Sequence, residues 1–298
     1  MSEIRQDGTK IHVPVMPNEV LSHLNILKDG TYLDGTIGLG GHSSLILSQL
    51  SAKGHLIGID RDEEAIEICK KSLPYHKSAL SLLNDSYHNI NSILDNLEIE
   101  KVNGILLDLG LSSFQLNSLD RGFSFNYDSI LDMRFDLSQK KTAYHIINNI
   151  PENELANVIF LNGEERRSRP IAKKIVKMRP IEKVSGLVEA IRQATPPFKR
   201  DRTLSRVFQA IRIAVNDELE KLDTFLSTFY DRLEDGGRIV IMSFHSLEDR
   251  KVKHSFKSLK NENGFKILTK KPLIPSDEEI IENSRSRSAK LRSAEKEG

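Results

Sequence analysis

Leu33-Asp34-Gly35-Thr36-Ile37-Gly38-Leu39-Gly40-Gly41-His42 decides the fold: four glycines crowd the exit of a short apolar segment, with one carboxylate just ahead of them. Glycine tolerates positive φ and has no Cβ. It leaves backbone N–H groups open at the start of a following helix, where the peptide dipoles favour an anionic or acceptor group. The loop therefore predicts a nucleotide-like cofactor at the end of a first strand. It is not the strict G-x-G-x-x-G dinucleotide fingerprint, because Gly38 and Gly40 are followed at the third position by Ser43. A turn that binds nothing also fits the loop alone, so the surrounding pattern has to decide.

Outward from the loop the chain alternates strand and helix. The spacing predicts strands over Thr31–Gly35, Leu56–Asp60, Leu80–Leu83 and Gly104–Asp108, and helices over His42–Leu50, Glu63–Ser72 and Ile90–Leu97. The strands are continuous apolar runs, as a parallel sheet covered on both faces requires. This is the pattern of an open, doubly wound α/β fold.

The alternation stops after Gly110. Up to about Arg206 the sequence has helix-like periodicity, many charges and no convincing strand, and Pro151, Pro170, Pro180 and Pro196-Pro197 are expected to cut it into short helices. Ile171, Ile175 and Met178 give one of these helices an apolar face, and Arg169, Lys173 and Lys177 a basic one. Beyond it, Phe208, Ile211, Val215, Leu219, Leu222, Leu226, Phe229 and Leu233 predict one long amphipathic helix ending at Gly236-Gly237. A fifth strand, Arg238–Ser243, a helix from Leu247 and two last strands, Lys266–Thr269 and Lys290–Arg292, complete the α/β part. The expected organisation is a discontinuous domain, 1–117 and 207–298, interrupted by a helical insert, 118–206.

Composition sets the compartment and the partner. Of 298 residues, 38% are apolar and 29% charged, ordinary for a globular protein. The single Cys69 rules out an internal disulfide framework or a Cys-rich zinc site, suits a reducing compartment, and is expected to pack as a small apolar group. No apolar run approaches the roughly 18 residues of a membrane span, and Met1 to Lys10 lacks the apolar core of a signal peptide. A cytoplasmic enzyme is the expectation. Net charge is only +1, yet Arg166 to Arg206 carries thirteen Lys or Arg against three acids, a local +10. Such segregation costs self-repulsion, and either a polyanionic partner or a merely solvated basic surface accounts for it.

Several residues carry candidate chemistry. Asp60 ends the second strand about 20 residues past the first glycines, where an acid accepts hydrogen bonds from ribose hydroxyls, unless it only caps the next helix. Asp34 either holds a cofactor amino group or braces the turn. Asp108, in Leu107-Asp108-Leu109-Gly110-Leu111-Ser112-Ser113-Phe114-Gln115, ends the fourth strand at the topological switch point, where ligands of such sheets bind. There it is either a reacting group or a capped strand end, and Ser112, Ser113 and Gln115 offer hydrogen bonds to a planar base. His42 either touches the cofactor or caps its helix. His245 is a base, an RNA contact or a structural residue. No G-x-S-x-G elbow or Walker A loop is present.

Taken together, these residues resemble the bacterial 16S ribosomal RNA (cytosine-N4)-methyltransferases, the MraW family, along almost the whole chain. The similar segments include His12-Val13-Pro14-Val15, Asp34 to His42, Gly58 to Asp62, Leu107 to Gln115, Arg121-Gly122-Phe123-Ser124-Phe125, Leu131-Asp132-Met133-Arg134, Gly163 to Arg166, Phe208 to Glu218, Ser243 to Asp249 and Arg287 to Leu291. The resemblance implies a Rossmann-like methyltransferase domain with a helical insert for RNA recognition. It implies that S-adenosylmethionine is the cofactor, and that N4 of a cytidine in the decoding region of 16S rRNA, free or in the small subunit, is the methyl acceptor. Carried over by position, cofactor contacts fall on Gly40, Gly41, His42, Asp60, Tyr87, Asp108 and Gln115, with Asp108 the candidate catalytic group and no metal ligand. Tyr87 comes from the resemblance alone. Three places depart from the family: Phe114 stands where proline is usual, Arg167 where an aromatic is common, and Asp201-Arg202-Thr203-Leu204 in place of a His-Pro stretch. The amino-methyltransferase signature Asn/Asp-Pro-Pro-aromatic is absent. A nicotinamide-dependent oxidoreductase and a noncatalytic RNA-binding factor are the rival classes, and either a monomer or a homodimer fits.

Overall fold

The computed structural model describes residues 14–73, 80–112, 115, 116 and 118–298. His12, Val13, Ser113 and Phe114, and the polar start, lie outside them. The chain divides into two compact units, one built from residues up to Ser112 and from Glu220 onward, the other from Ser113–Leu219.

The first unit is organised by one seven-stranded sheet. Its strands are β1 (Thr31–Asp34), β2 (His55–Asp60), β3 (Leu80–Asn84), β4 (Val102–Asp108), β5 (Leu233–Ser243), β6 (Phe265–Ile267) and β7 (Lys290–Lys296). Their order is β3-β2-β1-β4-β5-β7-β6. Strands β1 to β5 pair in parallel, and β7 runs antiparallel to both β5 and β6. The chain order reverses between β1 and β4, which creates the switch-point crevice beyond their carboxyl ends.

Alternate strand residues feed two separate cores, which is why the strands read as unbroken apolar runs. Leu33, Ile57, Ile59, Ile105, Leu107, Ile239 and Ile241 pack on one face, against Ile90, Ile93, Leu94, Leu222, Phe225, Val252 and Phe256. Tyr32, Leu56, Leu106, Val240, Met242 and Leu291 pack on the other, against Val20, Leu24, Ile46, Leu47, Ile66 and Cys69. The helices supplying these faces are α1 (Pro17–Leu24), α2 (Gly41–Gln49), α3 (Glu63–Ser72) and α4 (Ile90–Asn96) in the first half of the chain.

The second unit contains α5 (Ala143–Asn149), α6 (Glu152–Gly163), α7 (Ser168–Lys177), α8 (Val184–Gln193) and α9 (Arg200–Asn216). Gly163 lets α6 approach the backbone of Arg206, where a Cβ would overlap the carbonyl oxygen. On α7, Ile171 and Ile175 are fully buried while Arg169, Lys173 and Lys177 face solvent, as the spacing predicts. Pro170 does not end a helix. It is the third residue of α7, inside the first turn, where its missing N–H would have had no intrahelical acceptor.

Residues 121–142 form no helix or strand but are tied down. Arg121 is buried and donates to the carbonyls of Arg134 and Phe135 at 2.7 and 2.8 Å. Arg134 forks onto Asp132 at 2.9 and 2.7 Å. Asn216, wholly buried on α9, accepts from Phe135 N at 2.8 Å and donates to Met133 O at 2.7 Å. The family-like segments Arg121–Phe125 and Leu131–Arg134 are thus scaffold: this network holds a loop that has no ladder of its own.

The expected long helix ending at Gly236-Gly237 is corrected. Asp217 adopts φ 52° and caps α9, and α10 (Glu218–Thr228) starts anew. A 3-10 turn, Phe229–Arg232, follows, and β5 begins at Leu233. Phe208, Ile211, Val215, Leu222, Leu226, Phe229 and Leu233 are all buried, so apolar phase is kept across the break and periodicity cannot reveal it. Gly236, at φ 75°, turns a bulge in β5, where pairing jumps from Val102 with Leu233 to Gly104 with Arg238. Because α9 is one helix, the second unit runs on to Leu219, past the expected end at 206. The last helices are α11 (Ser246–Asn263) and α12 (Asp277–Glu282).

Candidate active site

Three carboxylates stand at the carboxyl ends of neighbouring strands: Asp34 on β1, Asp60 on β2 and Asp108 on β4. The register pairs Asp34 with Gly58 on one side and Leu106 on the other, so Asp60 and Asp108 each project two residues beyond it. The glycine loop is stitched to both neighbours. Gly35 N donates to Leu106 O and Ile37 N to Ile59 O, both at 2.9 Å.

Side chains fix the rest of the loop. Asp34 Oδ1 accepts from Thr36 N at 3.2 Å and Oδ2 from the Ser43 hydroxyl at 2.7 Å, so Asp34 braces the turn. Asp60 Oδ2 accepts from Gly38 N at 2.8 Å and Oδ1 from Asp62 N at 2.9 Å. Asp62, not Asp60, is the N-cap of α3, and each Asp60 oxygen keeps a second lone pair for another donor. Asp108 N donates to Thr36 Oγ1 at 2.6 Å, which ties the loop to β4. The Cys69 thiol donates to Gly38 O at 3.2 Å; burial, with Asp34 and Asp60 nearby, pushes its pKa up to about 12.

Gly38 and Gly40 adopt φ 52° and 79°, the left-handed region open to glycine. Gly40 caps α2, whose first intrahelical bond runs from Ser44 N to Gly40 O. The N–H groups of Gly41, His42 and Ser43 therefore precede the helical ladder, at the positive end of its dipole. Tyr87 opens a 3-10 turn after β3 and packs edge-on against Phe225, with centroids 5.6 Å apart. A side chain on Gly35 would collide with Leu107 and with Cβ of Tyr87, so this glycine lets the loop close against both.

His42, 6% exposed, places Nε2 3.7 Å from Asp108 Oδ2. The Asp108 carboxyl is pushed up to about 8 by burial first, then by the charges of Asp34 and Glu248. Burial likewise raises Asp34 and Asp60 to about 6 each. Asp108 Oδ1 is buried and has no hydrogen-bond partner among the described residues. A buried acceptor of that kind costs about 1–3 kcal/mol unless a donor arrives, so the site is built to receive one.

The first unit thus brings together Gly40, Gly41, His42, Asp60, Tyr87 and Asp108. Gln115 belongs to the second unit, where it is 4% exposed. His245 caps α11, its Nδ1 accepting from Glu248 N at 3.4 Å while Nε2 lies 3.1 Å from Glu248 Oε1. Glu248 is 3% exposed and also accepts from Phe244 N at 2.9 Å. Sequence reading passed over Thr36, Ser43 and Glu248. The spacing His245-x-x-Glu248, a variant of the capping box, was the available signal for the last.

A parallel sheet of this order with one reversed strand, a glycine loop leaving β1 and acids ending β2 and β4, defines a Rossmann-like domain of the S-adenosylmethionine-dependent methyltransferase class. Sequence comparison makes the class specific. The chain belongs to the MraW methylase family, whose model matches residues 9–297. It is similar to proteins called ribosomal RNA small subunit methyltransferase H. The one from Thermosipho africanus is 51% identical over 289 residues, covering 96% of this chain and 97% of that relative. The Kosmotoga olearia protein is 49% identical over 292 residues, with 96% and 97% covered. That of Fusobacterium nucleatum is 45% identical over 307 residues, with 97% and 98% covered.

Proposed function

We infer that the protein transfers a methyl group from S-adenosylmethionine to the exocyclic N4 of a cytidine in the decoding region of 16S ribosomal RNA of the small subunit. The observation that carries this reading is Asp108: in a chain of the MraW family, an unsatisfied buried carboxyl oxygen stands at the switch point beside His42 and the glycine loop.

The residues fit the cofactor. The positive end of α2 at Gly41 and His42, which the left-handed Gly40 sets up, suits its acceptor groups, the spare lone pairs of Asp60 suit ribose hydroxyls, and the Tyr87 ring offers an apolar face for the adenine. Once bound, S-adenosylmethionine supplies an electrophilic methyl group on a positively charged sulfonium. Asp34 and Asp60, ionised above about pH 6, favour such a cation electrostatically, and a cation bound there draws the Asp108 pKa down from about 8. Titration calorimetry checks the cofactor: S-adenosylmethionine is expected to bind and NAD not to. The reverse result would move the protein to the oxidoreductase class.

Cytosine N4 is a weak nucleophile because its lone pair is delocalised into the ring. Asp108 and the carbonyls and hydroxyls that follow β4 accept its amino hydrogens, localise the pair and aim it, so positioning dominates the rate. The base has to leave its stack, which is easiest in a single-stranded or junction region.

The insert supplies the grip. Lys173 and Lys177 are exposed on α7, Lys174 half-buried, and Ile171 and Ile175 anchor the opposite face. Replacing the three lysines by Gln is expected to weaken RNA binding and flatten the dependence of log K on log salt by about 0.7 for each phosphate no longer neutralised. An unchanged slope and affinity would place the grip elsewhere. Among the described residues no helix is long and apolar enough to cross a membrane.

A further inference from the structure

We propose that Phe198 is a stacking platform for an unpaired RNA base, with the cations of its turn and of the segments anchored to it holding the adjacent phosphates. The proposal deepens the RNA-methylating reading and rests on it.

Phe198 is 82% exposed, in the 3-10 turn Pro197–Lys199 between α8 and α9 of the second unit. Large apolar side chains occur singly on most protein surfaces, so exposure alone assigns nothing. Three features set this ring apart.

The turn is stiff. Pro196 and Pro197 fix two successive φ angles and Lys199 N closes onto Pro196 O at 3.0 Å, so the backbone that carries the ring is already ordered before binding.

The surroundings are cationic and anchored. Lys199 Nζ lies 5.3 Å from the ring centroid. Arg167 donates to Ala194 O from Nε and Nη2 at 3.2 and 2.9 Å, and Arg200 Nε donates to Thr195 O at 3.4 Å. Two guanidiniums are thereby clamped on the consecutive carbonyls that lead into the turn, with most of each five-donor fork left over. Arg202 is exposed in the first turn of α9.

The charge is uncompensated. Among the described residues, Arg167, Lys199, Arg200 and Arg202 form no ion pair with a carboxylate, although Asp201 is adjacent in sequence. An exposed ring with Lys199 over it and two anchored guanidiniums on the carbonyls leading into its turn matches one chemistry best: phosphates spaced along a strand whose bases are free to stack. A duplex hides those faces, so the ligand is single-stranded RNA. This also gives a role to the departures at Arg167 and Arg202.

The chain has no tryptophan, so Phe198→Trp places one reporter indole in the full-length protein. A short single-stranded RNA is expected to quench it, and the same sequence as a duplex is not. Phe198→Ala is expected to weaken single-strand binding about tenfold with the salt slope unchanged, because stacking releases no counterions. Arg202→Gln is expected to lower the slope by about 0.7. An unquenched indole at saturating RNA, wild-type RNA affinity in Phe198→Ala, or equal quenching by an acidic peptide would overturn the proposal. Failure of the parent reading has another signature: no methyl transfer to small subunits by the wild-type protein, with the indole response to RNA intact.

Discussion

Asp108→Asn is expected to lower methyl transfer by about two to three orders of magnitude, the range associated with removing a positioned proton acceptor, while making the protein more stable at alkaline pH. The two effects have one origin. Asp108 ionises near pH 8 in the folded chain, against 3.8 for an unperturbed carboxyl, because burial and the charges of Asp34 and Glu248 penalise its anion. Below pH 3.8 it is protonated folded or unfolded. Between 3.8 and about 8 the folded protein retains a proton that the unfolded chain gives up, so the stability from this group falls as pH rises through that window. The isosteric amide does not titrate. It should leave stability nearly unchanged at pH 4 and raise it at pH 8 by up to about 5 kcal/mol, the linkage value for a pKa moved from 3.8 to about 8, which is on the order of 10 °C in Tm. Thermal melts at the two pH values, beside single-turnover transfer, read both arms. A variant losing activity and stability together would make Asp108 a structural strand end.

The same carboxyl sets a pH profile. With S-adenosylmethionine varied, kcat/KM reports the free enzyme and should rise towards an inflection near 8 as Asp108 ionises. A flat profile between pH 6 and 9 would remove it as acceptor.

Gly40→Ala is expected to destabilise the protein by about 3 kcal/mol and to weaken S-adenosylmethionine binding by more than tenfold. At φ 79° an L-residue costs about 1–2 kcal/mol, and the new methyl would lie 2.8 Å from Leu73 Cδ2 and 3.3 Å from Cys69 Sγ. Leu73 and Cys69 are buried against the sheet, so relief requires the loop to move off Asp60 and Asp108. Gly236→Ala is the control: φ is 75° there, but no atom lies within 4 Å of the added Cβ, so only the conformational part should appear. Leu73→Ala combined with Gly40→Ala should cost less than the two singly, a coupling a double-mutant cycle measures. Equal destabilisation in Gly40→Ala and Gly236→Ala would mean that the clash with Leu73 plays no part.

Much of this architecture is legible in the chain because burial on both faces leaves a direct trace. Leu56–Asp60 and Gly104–Asp108 are apolar without interruption, and their ends locate Asp60 and Asp108 from the residues alone. Breaks that preserve phase leave none: the apolar spacing runs unbroken through the sequence of α9 and α10, and only the left-handed Asp217 separates them. Pairings across long separations are equally silent. Asn216 satisfies Phe135 and Met133 from more than eighty residues away, and nothing in either segment names its partner. Within the site, the sequence shows which acids reach the crevice but not their neighbours. Asp34 has both oxygens engaged by Thr36 and Ser43, whereas Asp108 keeps one without a hydrogen-bond partner among the described residues; that difference separates a brace from a candidate reacting group. Phe198 is invisible for a further reason: an aromatic beside basic residues reads as core or surface alike until its exposure is known.

The most direct test is to incubate the purified protein with small ribosomal subunits lacking the modification and with S-adenosylmethionine labelled in its methyl group, then digest the RNA to nucleosides and identify the labelled one by mass spectrometry. One N4-methylcytidine per subunit, at a single decoding-region position, is the result this account predicts. Label on a ring carbon, a ring nitrogen or a ribose, or no transfer by protein that binds the cofactor, would contradict it.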